Sequence, residues 1–496
     1  MCMACNGRRH APAHGSDATM AAGNGSPSAG GAQPSPKVRQ RELPDGIGRD
    51  GRRTLIRGGT VMSMDPAVGD FERADVLLNG RRIEAIGPDL DAGDAAIIEA
   101  DGMVVMPGFI DTHHHQFETA LRSLLPDAIL INDGRPESAL NYYEGMLQTL
   151  SQVYRPYDVY VSELYGALAQ LDTGVTTVMD VSQIHHSPEH SDAAVDALKA
   201  SDRRSVFGYF EGWGDAAKYP DDAARLKQTY FASDDQLLTM VMGGEIYLPM
   251  YESAWRIGRE LDLPIALHVV GTFGMAPVFD ELAKAGTFGP DNIFIHMTGM
   301  SDLGWQAAAD AGAHVSLSVP IEMHMRHGIP PLQRALDHGL QPSLSTDVEC
   351  TMSADPFTQM RGAITLQRAF ANELALAGED YPKLLSARDV LRFATLEGAR
   401  GLKLDAKTGS LTPGKEADIV LLDATRLNVA PLNHAPGAVV TLMDRSNVDT
   451  VLVAGKVRKW RGALLDGDLE QLRGELEASR DYLLRAAGIS KDLFRT

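Results

Sequence analysis

Cysteine is scarce in this chain. Only three of its 496 residues are cysteines, namely Cys2, Cys5 and Cys350. A disulfide framework is therefore excluded, and a cytoplasmic location is expected because the cytoplasm keeps thiols reduced. Cys2 and Cys5 have the spacing of half a zinc site, but no second pair follows, so we do not assign them to a metal.

Long apolar runs and excess positive charge are also missing. No run of about 18 apolar residues occurs, so no membrane span is expected. The chain has 46 Lys and Arg against 66 Asp and Glu, which gives a formal charge of −20. An acidic chain is a poor partner for nucleic acid or an anionic membrane surface. We therefore expect neither as a partner, and the 44% apolar content supports a full globular core.

The two ends of the chain differ in texture from the middle. Residues 1–51 are rich in Gly, Ser, Ala and Pro and poor in large apolar residues, which predicts a disordered tail. Short strands with glycine turns fill residues 52–103 and return in residues 410–465. They predict a small β-sandwich domain built from both chain ends, with two unrelated β segments as the alternative. Residues 466–496 predict an amphipathic C-terminal helix for packing or for an oligomer contact.

The middle of the chain, residues 104–409, alternates apolar strands with helical segments. This alternation is typical of an α/β fold with a parallel sheet. Eight strand-like runs occur, and eight is the number that closes a (β/α)8 TIM-type barrel. An insert at about 124–157, with several aromatic residues, is either a lid over the barrel mouth or a packing excursion.

Candidate metal ligands end four of these strands. His113 and His115 stand at period two, so their side chains face the same way if the strand continues. His268, His296 and Asp347 each end a later apolar run. Ligands delivered singly from successive strand ends are typical of the catalytic face of a barrel. Imidazole and carboxylate suit a zinc ion, with iron or cobalt as alternatives, and such an ion lowers the pKa of water to about 7.

The residues around these histidines resemble a known family. One segment closely resembles the first-strand signature of the amidohydrolase superfamily, namely Pro107-Gly-Phe-Ile-Asp-Thr-His-His-His115. The resemblance continues at later motifs of the same superfamily: Thr176-Thr-Val178, His268, His296, Ser345-Thr-Asp347 and Gly409-Ser-Leu-Thr-Pro-Gly-Lys-Glu-Ala-Asp418. The resemblance covers roughly residues 53–460 and is strongest to the branch with triazine hydrolases and cytosine and guanine deaminases. It implies one divalent metal ion held by His113, His115, His268 and Asp347. It also implies that His296 is a catalytic histidine outside the ligand set.

One position departs from the branch. Its deaminases usually carry a glutamate three residues after the fifth-strand histidine, where this chain has Gly271. We expect Glu322 to supply the missing proton and, with His296 and Asp347, to form the catalytic set. His186 and His324 are expected to bind substrate, and His327 is placed near the mouth as well. An ordinary loop position is the alternative for Glu322.

The predicted function is hydrolysis of a non-peptide carbon–nitrogen bond in a small molecule, by an amidohydrolase or aminohydrolase. Two chemistries stay open: deamination or dehalogenation of a heteroaromatic ring, and cleavage of an amide, carbamate or urea. A catalytically silent barrel that binds a small molecule is the alternative outside enzymes. The size of the chain and the family resemblance predict a homo-oligomer.

Overall fold

The computed structural model describes residues 42–48, 51–465 and 467–494. Most of the predicted tail, including Cys2 and Cys5, therefore lies outside the described residues. Within its last part, Ile47 packs against the apolar core of the sheet formed by the chain ends. The disordered tail at residues 1–51 stays a prediction, and the packing of Ile47 shows that its last part is in contact with the sheet.

The described residues form seventeen strands and thirteen α-helices. The strands are β1 (Arg53–Met62), β2 (Asp70–Asn79), β3 (Arg82–Gly87), β4 (Ala96–Glu99), β5 (Met103–Pro107), β6 (Phe109–His114), β7 (Val175–Ser182), β8 (Arg204–Tyr209), β9 (Leu238–Gly243), β10 (Ile265–Val270), β11 (Asn292–Thr298), β12 (His314–Leu317), β13 (Ser343–Leu344), β14 (Ile419–Asp423), β15 (Val448–Val453), β16 (Lys456–Trp460) and β17 (Ala463–Leu464). The helices are α1 (Pro156–Asp172), α2 (Pro188–Ala200), α3 (Ala223–Tyr230), α4 (Tyr251–Glu260), α5 (Ala276–Lys284), α6 (Asp302–Asp310), α7 (Val319–His324), α8 (Leu332–Asp337), α9 (Pro356–Ala377), α10 (Ala387–Phe393), α11 (Leu396–Gly401), α12 (Ala435–Thr441) and α13 (Leu469–Ala486). Helical segments of 3-10 and π type lie in the insert before α1, the longest at Tyr143–Leu150.

Strands β6 to β13 form one parallel sheet in sequence order. Backbone hydrogen bonds close it into a barrel: the Asp347 N–H donates to the His113 carbonyl at 3.0 Å, and the His115 N–H donates to the Asp347 carbonyl at 2.9 Å. The sheet therefore closes through residues that are themselves candidate ligands. The predicted (β/α)8 barrel is confirmed.

The second sheet has nine strands from both ends of the described chain. Its order is β17-β16-β15-β14-β5-β1-β2-β3, with β4 paired to β1. The pair β14 and β5 joins the C-terminal strands to the N-terminal strands, because β14 runs antiparallel to β5 with Val420 opposite Met106. Apolar side chains such as Val61, Val76 and Ile419 form its buried core. The β part predicted from residues 52–103 and 410–465 thus forms a single sheet.

One predicted strand is divided between the two sheets. The apolar run that begins at Val104 pairs first in the second sheet as β5, and continues in the barrel as β6. Gly108 lies at the change of sheet, where a Cβ atom would collide with the side chain of Thr176. A residue without a side chain is therefore required where the chain passes from one sheet to the other.

Helix α13 follows the second sheet. Asp468 caps it by accepting from the N–H groups of Glu470 and Gln471. The helix packs on α1, where the Ser479 hydroxyl donates to Asp158 at 2.7 Å. Over the part of the chain that is described, none of the helices has the length and apolar character needed to span a membrane.

Candidate metal centre

Five side chains predicted from strand ends meet at one end of the barrel. His113 and His268 lie on β6 and β10, His115 follows β6, His296 lies on β11, and Asp347 follows β13. Parallel strands place their carboxyl ends on the same rim of a barrel, so residues distant in sequence become neighbours. The fold therefore brings the proposed metal ligands and the proposed catalytic histidine into one cluster.

The distances within the cluster are short. His113 Nε2 lies 3.0 Å from His115 Nε2 and 3.1 Å from His268 Nε2. Asp347 Oδ1 lies 3.5 Å from His115 Nε2 and 3.7 Å from His113 Nε2. Ligands about 2.0–2.1 Å from a shared zinc ion lie roughly 3.0–3.4 Å from one another at bond angles of about 90–109°. The spacing of the imidazole nitrogens therefore fits a single metal ion.

Hydrogen bonding alone does not account for this arrangement. His268 gives its Nδ1 proton to Glu245, so its Nε2 presents a lone pair to the cluster. A neutral His113 has one N–H proton and can satisfy only one of its two imidazole neighbours. At least one close nitrogen pair is then left without a proton between its members. A cation between the nitrogens removes this repulsion.

The backbone is strained at the same place. His296, Met297 and Asp347 have φ values of +72°, +51° and +63°. This left-handed region is uncommon for residues other than glycine and is found repeatedly at functional sites. The neighbouring strands and the closing hydrogen bonds hold these residues in place, so the strain supports fixed side-chain directions.

Glu245, just after β9, holds His268. Its Oε1 accepts from His268 Nδ1 at 2.5 Å, and its two oxygens each lie 3.2 Å from the His268 backbone N. Glu245 is fully buried. These contacts fix the ring and the tautomer of His268, as carboxylates behind metal-ligating histidines commonly do. Sequence analysis missed Glu245, although it follows a barrel strand as the other candidates do.

Glu322 stands behind His296 in the same manner. Its Oε1 lies 3.0 Å from His296 Nδ1 and accepts from the Ser318 N–H at 2.8 Å. His296 Nε2 then faces Asp347 Oδ2 at 3.6 Å. Glu322 does not line the cavity above the cluster. Any proton from Glu322 therefore reaches substrate through His296, not by direct contact as expected.

Burial controls the charge state of the cluster. It holds the pKa of His113 and of His115 well below the usual value, and the neighbouring imidazoles act in the same direction. Burial also raises the pKa of Asp347 to about 7. For His268, burial is the largest influence and lowers the pKa, but the charge and hydrogen bond of Glu245 together with the charge of Asp347 outweigh it, so the net shift is upward. Neutral imidazoles are the form that binds a metal.

A cavity opens above the cluster. The ligand-cluster residues His115, His268, His296 and Asp347 form its floor. The remaining wall is mainly apolar and aromatic and comprises Leu130, Tyr142, Tyr143, Leu147, Gln183, Tyr247, Val270, Phe273, Met275, Met325, His327 and Val348. The insert at 124–157 contributes four of these residues, so it covers the mouth as a lid would.

Two residues expected to bind substrate lie outside this wall. His186 Nε2 bonds to the Ser151 carbonyl at 2.9 Å, and its Nδ1 accepts from the Trp213 N–H at 3.0 Å. His324 is exposed and its Nε2 bonds to the Pro126 carbonyl at 2.6 Å. Each is committed to backbone groups of neighbouring loops. His327, three residues after His324, is the histidine of this loop that lines the cavity.

Gln183 and Tyr247 are cavity residues that sequence analysis missed. Gln183 Nε2 donates to Glu211 Oε1 at 2.8 Å and to the Tyr247 hydroxyl oxygen at 3.0 Å. The Tyr247 hydroxyl in turn donates to Glu211. Burial raises the pKa of Glu211 to about 7. Gln183 follows β7 and Glu211 follows β8, so the position after a strand was the signal available.

Gly271 leaves little room for a side chain. A Cβ at this position would lie 3.0 Å from both Gly299 Cα and the Thr298 carbonyl oxygen. Contacts of 3.0–3.4 Å with backbone are tight for any Cβ, so a side chain here needs the backbone to shift. The glycine is thus part of a close backbone approach between β10 and β11.

Comparison with known proteins gives matches over most of the chain. The model of the amidohydrolase family matches residues 267–458. A 5'-deoxyadenosine deaminase of Methanothermobacter thermautotrophicus is 27% identical over 443 residues, covering 85% of this chain and 96% of that protein. A 5-methylthioadenosine/S-adenosylhomocysteine deaminase of Thermococcus kodakarensis is 26% identical over 422 residues, covering 81% and 93%.

Solved structures superpose over a similar length. An adenosine deaminase from Xanthomonas campestris with bound zinc has a TM-score of 0.74 at 22% identity, covering 88% of this chain and 99% of that chain. An atrazine chlorohydrolase from Arthrobacter aurescens complexed with zinc has a TM-score of 0.75 at 22% identity, covering 86% and 100%. At this identity the superpositions establish a shared fold.

Proposed function

We propose that this chain, which belongs to the amidohydrolase superfamily and is a metal-dependent hydrolase of carbon–nitrogen bonds, releases ammonia from an uncharged, amino-substituted heteroaromatic ring. The observation that carries the proposal is the aromatic wall directly above the histidine cluster, with Tyr142, Tyr143, Tyr247 and Phe273 among its residues. Such a wall suits a flat ring, since aromatic pairs are favourable beyond their buried area. Several relatives named as deaminases support the same chemistry.

The proposed metal ligands are His113, His115, His268 and Asp347, and the proposed ion is zinc. Its support is the donor set of three imidazoles and one carboxylate, together with zinc in two related structures. When bound, a divalent ion of this kind acidifies water to a pKa of about 7 and so supplies the nucleophile at neutral pH.

The chain's own residues would move the protons. Asp347 Oδ2 is buried without a hydrogen-bond partner and faces the cavity floor, so it is available to accept the proton of the attacking water. The same carboxyl group would then give that proton to the leaving nitrogen. His296 gives its Nδ1 proton to Glu322, which leaves the Nε2 lone pair to accept a hydrogen bond from water and orient it.

A second candidate function is displacement of a group other than ammonia, such as halide or an alkylamine, from the ring. Gly271 favours it, because an activated leaving group departs without the ring protonation that a glutamate would provide. Cleavage of an open amide, carbamate or urea is a third outcome, and the aromatic wall gives it less support.

A substrate panel separates these reactions. The panel pairs amino-, chloro- and alkylamino-substituted pyrimidines and triazines with a simple aryl amide and a urea, and the assay follows ammonia, chloride and amine together. We expect ammonia release from aminopyrimidines by the zinc-loaded enzyme and none by a matched His115→Ala variant. Release of chloride alone, or of amine from the amide alone, would contradict the deaminase proposal.

The cytoplasmic location and the homo-oligomer remain predictions from the sequence. The exposed outer surface of α13, where Leu469 is 39% accessible, is the proposed contact between copies. Light scattering of the full chain against a chain ending at Gly467 tests this proposal, and an unchanged mass would contradict it.

A further inference from the structure

One buried side chain of the cavity lacks a partner. His327 is 4% exposed, and neither of its ring nitrogens has a hydrogen-bond partner. Burying a polar group unpaired costs roughly 1–3 kcal/mol, so native proteins rarely leave one without a reason. Because His327 lines the cavity, a bound ligand is the natural partner.

The hydrogen-bond donors of Tyr142, Tyr247 and Gln183 in the wall are already occupied. The Tyr142 hydroxyl donates to Glu118 at 2.6 Å, the Tyr247 hydroxyl donates to Glu211, and the Gln183 amide donates to both members of that second pair. Among buried wall residues outside the histidine and aspartate cluster, within the described ranges, His327 is the one whose side-chain nitrogens are all unpaired. Its imidazole N–H is therefore a buried donor without a partner, which a ligand in the cavity would meet.

The loop between α7 and α8 holds His327 in this position. Its backbone N–H donates to the Glu322 carbonyl at 3.1 Å. Arg326 before it has a φ of +59° and Gly328 after it has a φ of +132°, a value suited to glycine. Arg326 also bonds to Asp133 of the insert at 2.8 Å. The imidazole thus sits on a backbone fixed from both sides.

His327 also contacts the proposed catalytic histidine. Its ring centroid is 4.6 Å from that of His296, at an interplanar angle of 87°. His327 also lines the groove that contains Gly271 and Gly299, the two glycines in close backbone contact. The imidazole therefore borders both the cavity floor and the groove at Gly271.

We propose that His327 recognises the substrate by donating a hydrogen bond from its imidazole N–H to a ring nitrogen next to the carbon under attack. This inference rests on the proposed function, and names its substrate class as heteroaromatics with an unprotonated ring nitrogen beside the amino-bearing carbon. Burial lowers the pKa of His327 to about 3, so the ring is neutral near pH 7. It then supplies a hydrogen bond rather than a full proton.

Equilibrium binding to the zinc-loaded full chain tests the proposal without requiring turnover. The probes are 4-methylpyrimidine and toluene, two flat rings of similar size without an amino leaving group, of which only the first has ring nitrogens, including one next to the substituted carbon. We expect wild-type enzyme to prefer 4-methylpyrimidine by about 10- to 100-fold, the scale of a buried hydrogen bond left unmade. His327→Ala should lose this preference while its zinc content stays full, and His327→Asn should restore part of it.

The matched control is His338→Ala, at the end of α8 and outside the cavity, which should keep the preference. An equal affinity of wild type for both probes, including no measurable binding of either, would overturn the proposal. A preference that survives in His327→Ala would do so too, because another group would then read the ring nitrogen. If the preference depends on His327 but no ammonia is released, the proposed function fails while the recognition by His327 stands.

Discussion

Replacing Glu245 tests the support of the proposed metal centre. The carboxylate accepts from His268 Nδ1 at 2.5 Å and lies 3.2 Å from the His268 backbone N with each oxygen. Removing it frees the imidazole to rotate and to place its proton on Nε2, which would block the nitrogen that faces the other ligands. Loss of such outer partners typically lowers metal affinity about 10- to 100-fold.

Two substitutions of Glu245 should lower the zinc affinity to different extents. Glu245→Ala removes every contact, so we expect zinc affinity to fall by about 10- to 100-fold, or roughly 1.4–2.7 kcal/mol at 1.36 kcal/mol per tenfold. Glu245→Gln retains an oxygen for the Nδ1 proton but loses the charge, so its loss should be smaller. Competition with a fluorescent chelator at fixed pH measures both, and far-ultraviolet circular dichroism of each variant confirms folding.

Glu211→Gln provides the matched control, since Glu211 is also buried but its side chain bonds to Gln183 and Tyr247. It should bind zinc within about threefold of wild type, a range below the tenfold loss expected of an outer partner. Wild-type affinity in Glu245→Ala would refute the reasoning, either because His268 needs no support or because it is not a ligand.

The remaining predictions concern other parts of the chain. His115→Ala should lose zinc and activity with an unchanged circular dichroism spectrum, and full zinc occupancy would exclude His115 from the ligand set. Gly271→Ala should lower the free energy of unfolding, measured by urea denaturation, by about 1–3 kcal/mol, because the new Cβ would meet backbone atoms at 3.0 Å. The control Gly474→Ala lies in helix α13 with open space around the new Cβ, so it should raise the free energy of unfolding by up to about 1 kcal/mol. Glu322→Ala should lower kcat by about 10²-fold, whereas Glu322→Gln keeps an acceptor for the His296 proton, so its kcat should stay within about tenfold of wild type. Equal losses in the two variants would indicate that Glu322 acts as a proton source. Deleting residues 1–44 should leave the melting temperature unchanged, and a loss of several degrees would contradict the tail prediction.

The barrel was predictable because its signal is local and repeated. Apolar strands that alternate with helices specify a parallel sheet, and parallel strands must present their ends on one rim. His113 and Asp347 are more than two hundred residues apart, yet this rule alone predicts that they meet. The passage of one apolar run through two sheets at Gly108 was not predictable, since pairing partners are chosen by tertiary contacts that periodicity does not encode.

The acids that hold the proposed site histidines are harder to predict than the histidines themselves. Glu245 and Glu322 each hold a histidine, but in sequence they are single acids after a strand and within a short helix. Side-chain direction decides their role, and it depends on the backbone of the loop. The same reason separates His324 from His327: three residues apart, one bonds to a surface carbonyl and the other enters the cavity.

The glycine at position 271, where the resemblance predicts a glutamate, restricts the range of substrates for the proposed reaction. A glutamate can transfer a proton to a ring nitrogen and so activate an unreactive ring, whereas a neutral imidazole at His327 can only polarise that nitrogen through a hydrogen bond. In the proposed reaction Asp347 is a proton carrier on the cavity floor, and it must serve the leaving group as well. The proposed reaction is therefore suited to rings that are already electron-poor, in which further ring nitrogens or withdrawing substituents perform the activation that the missing acid would have provided.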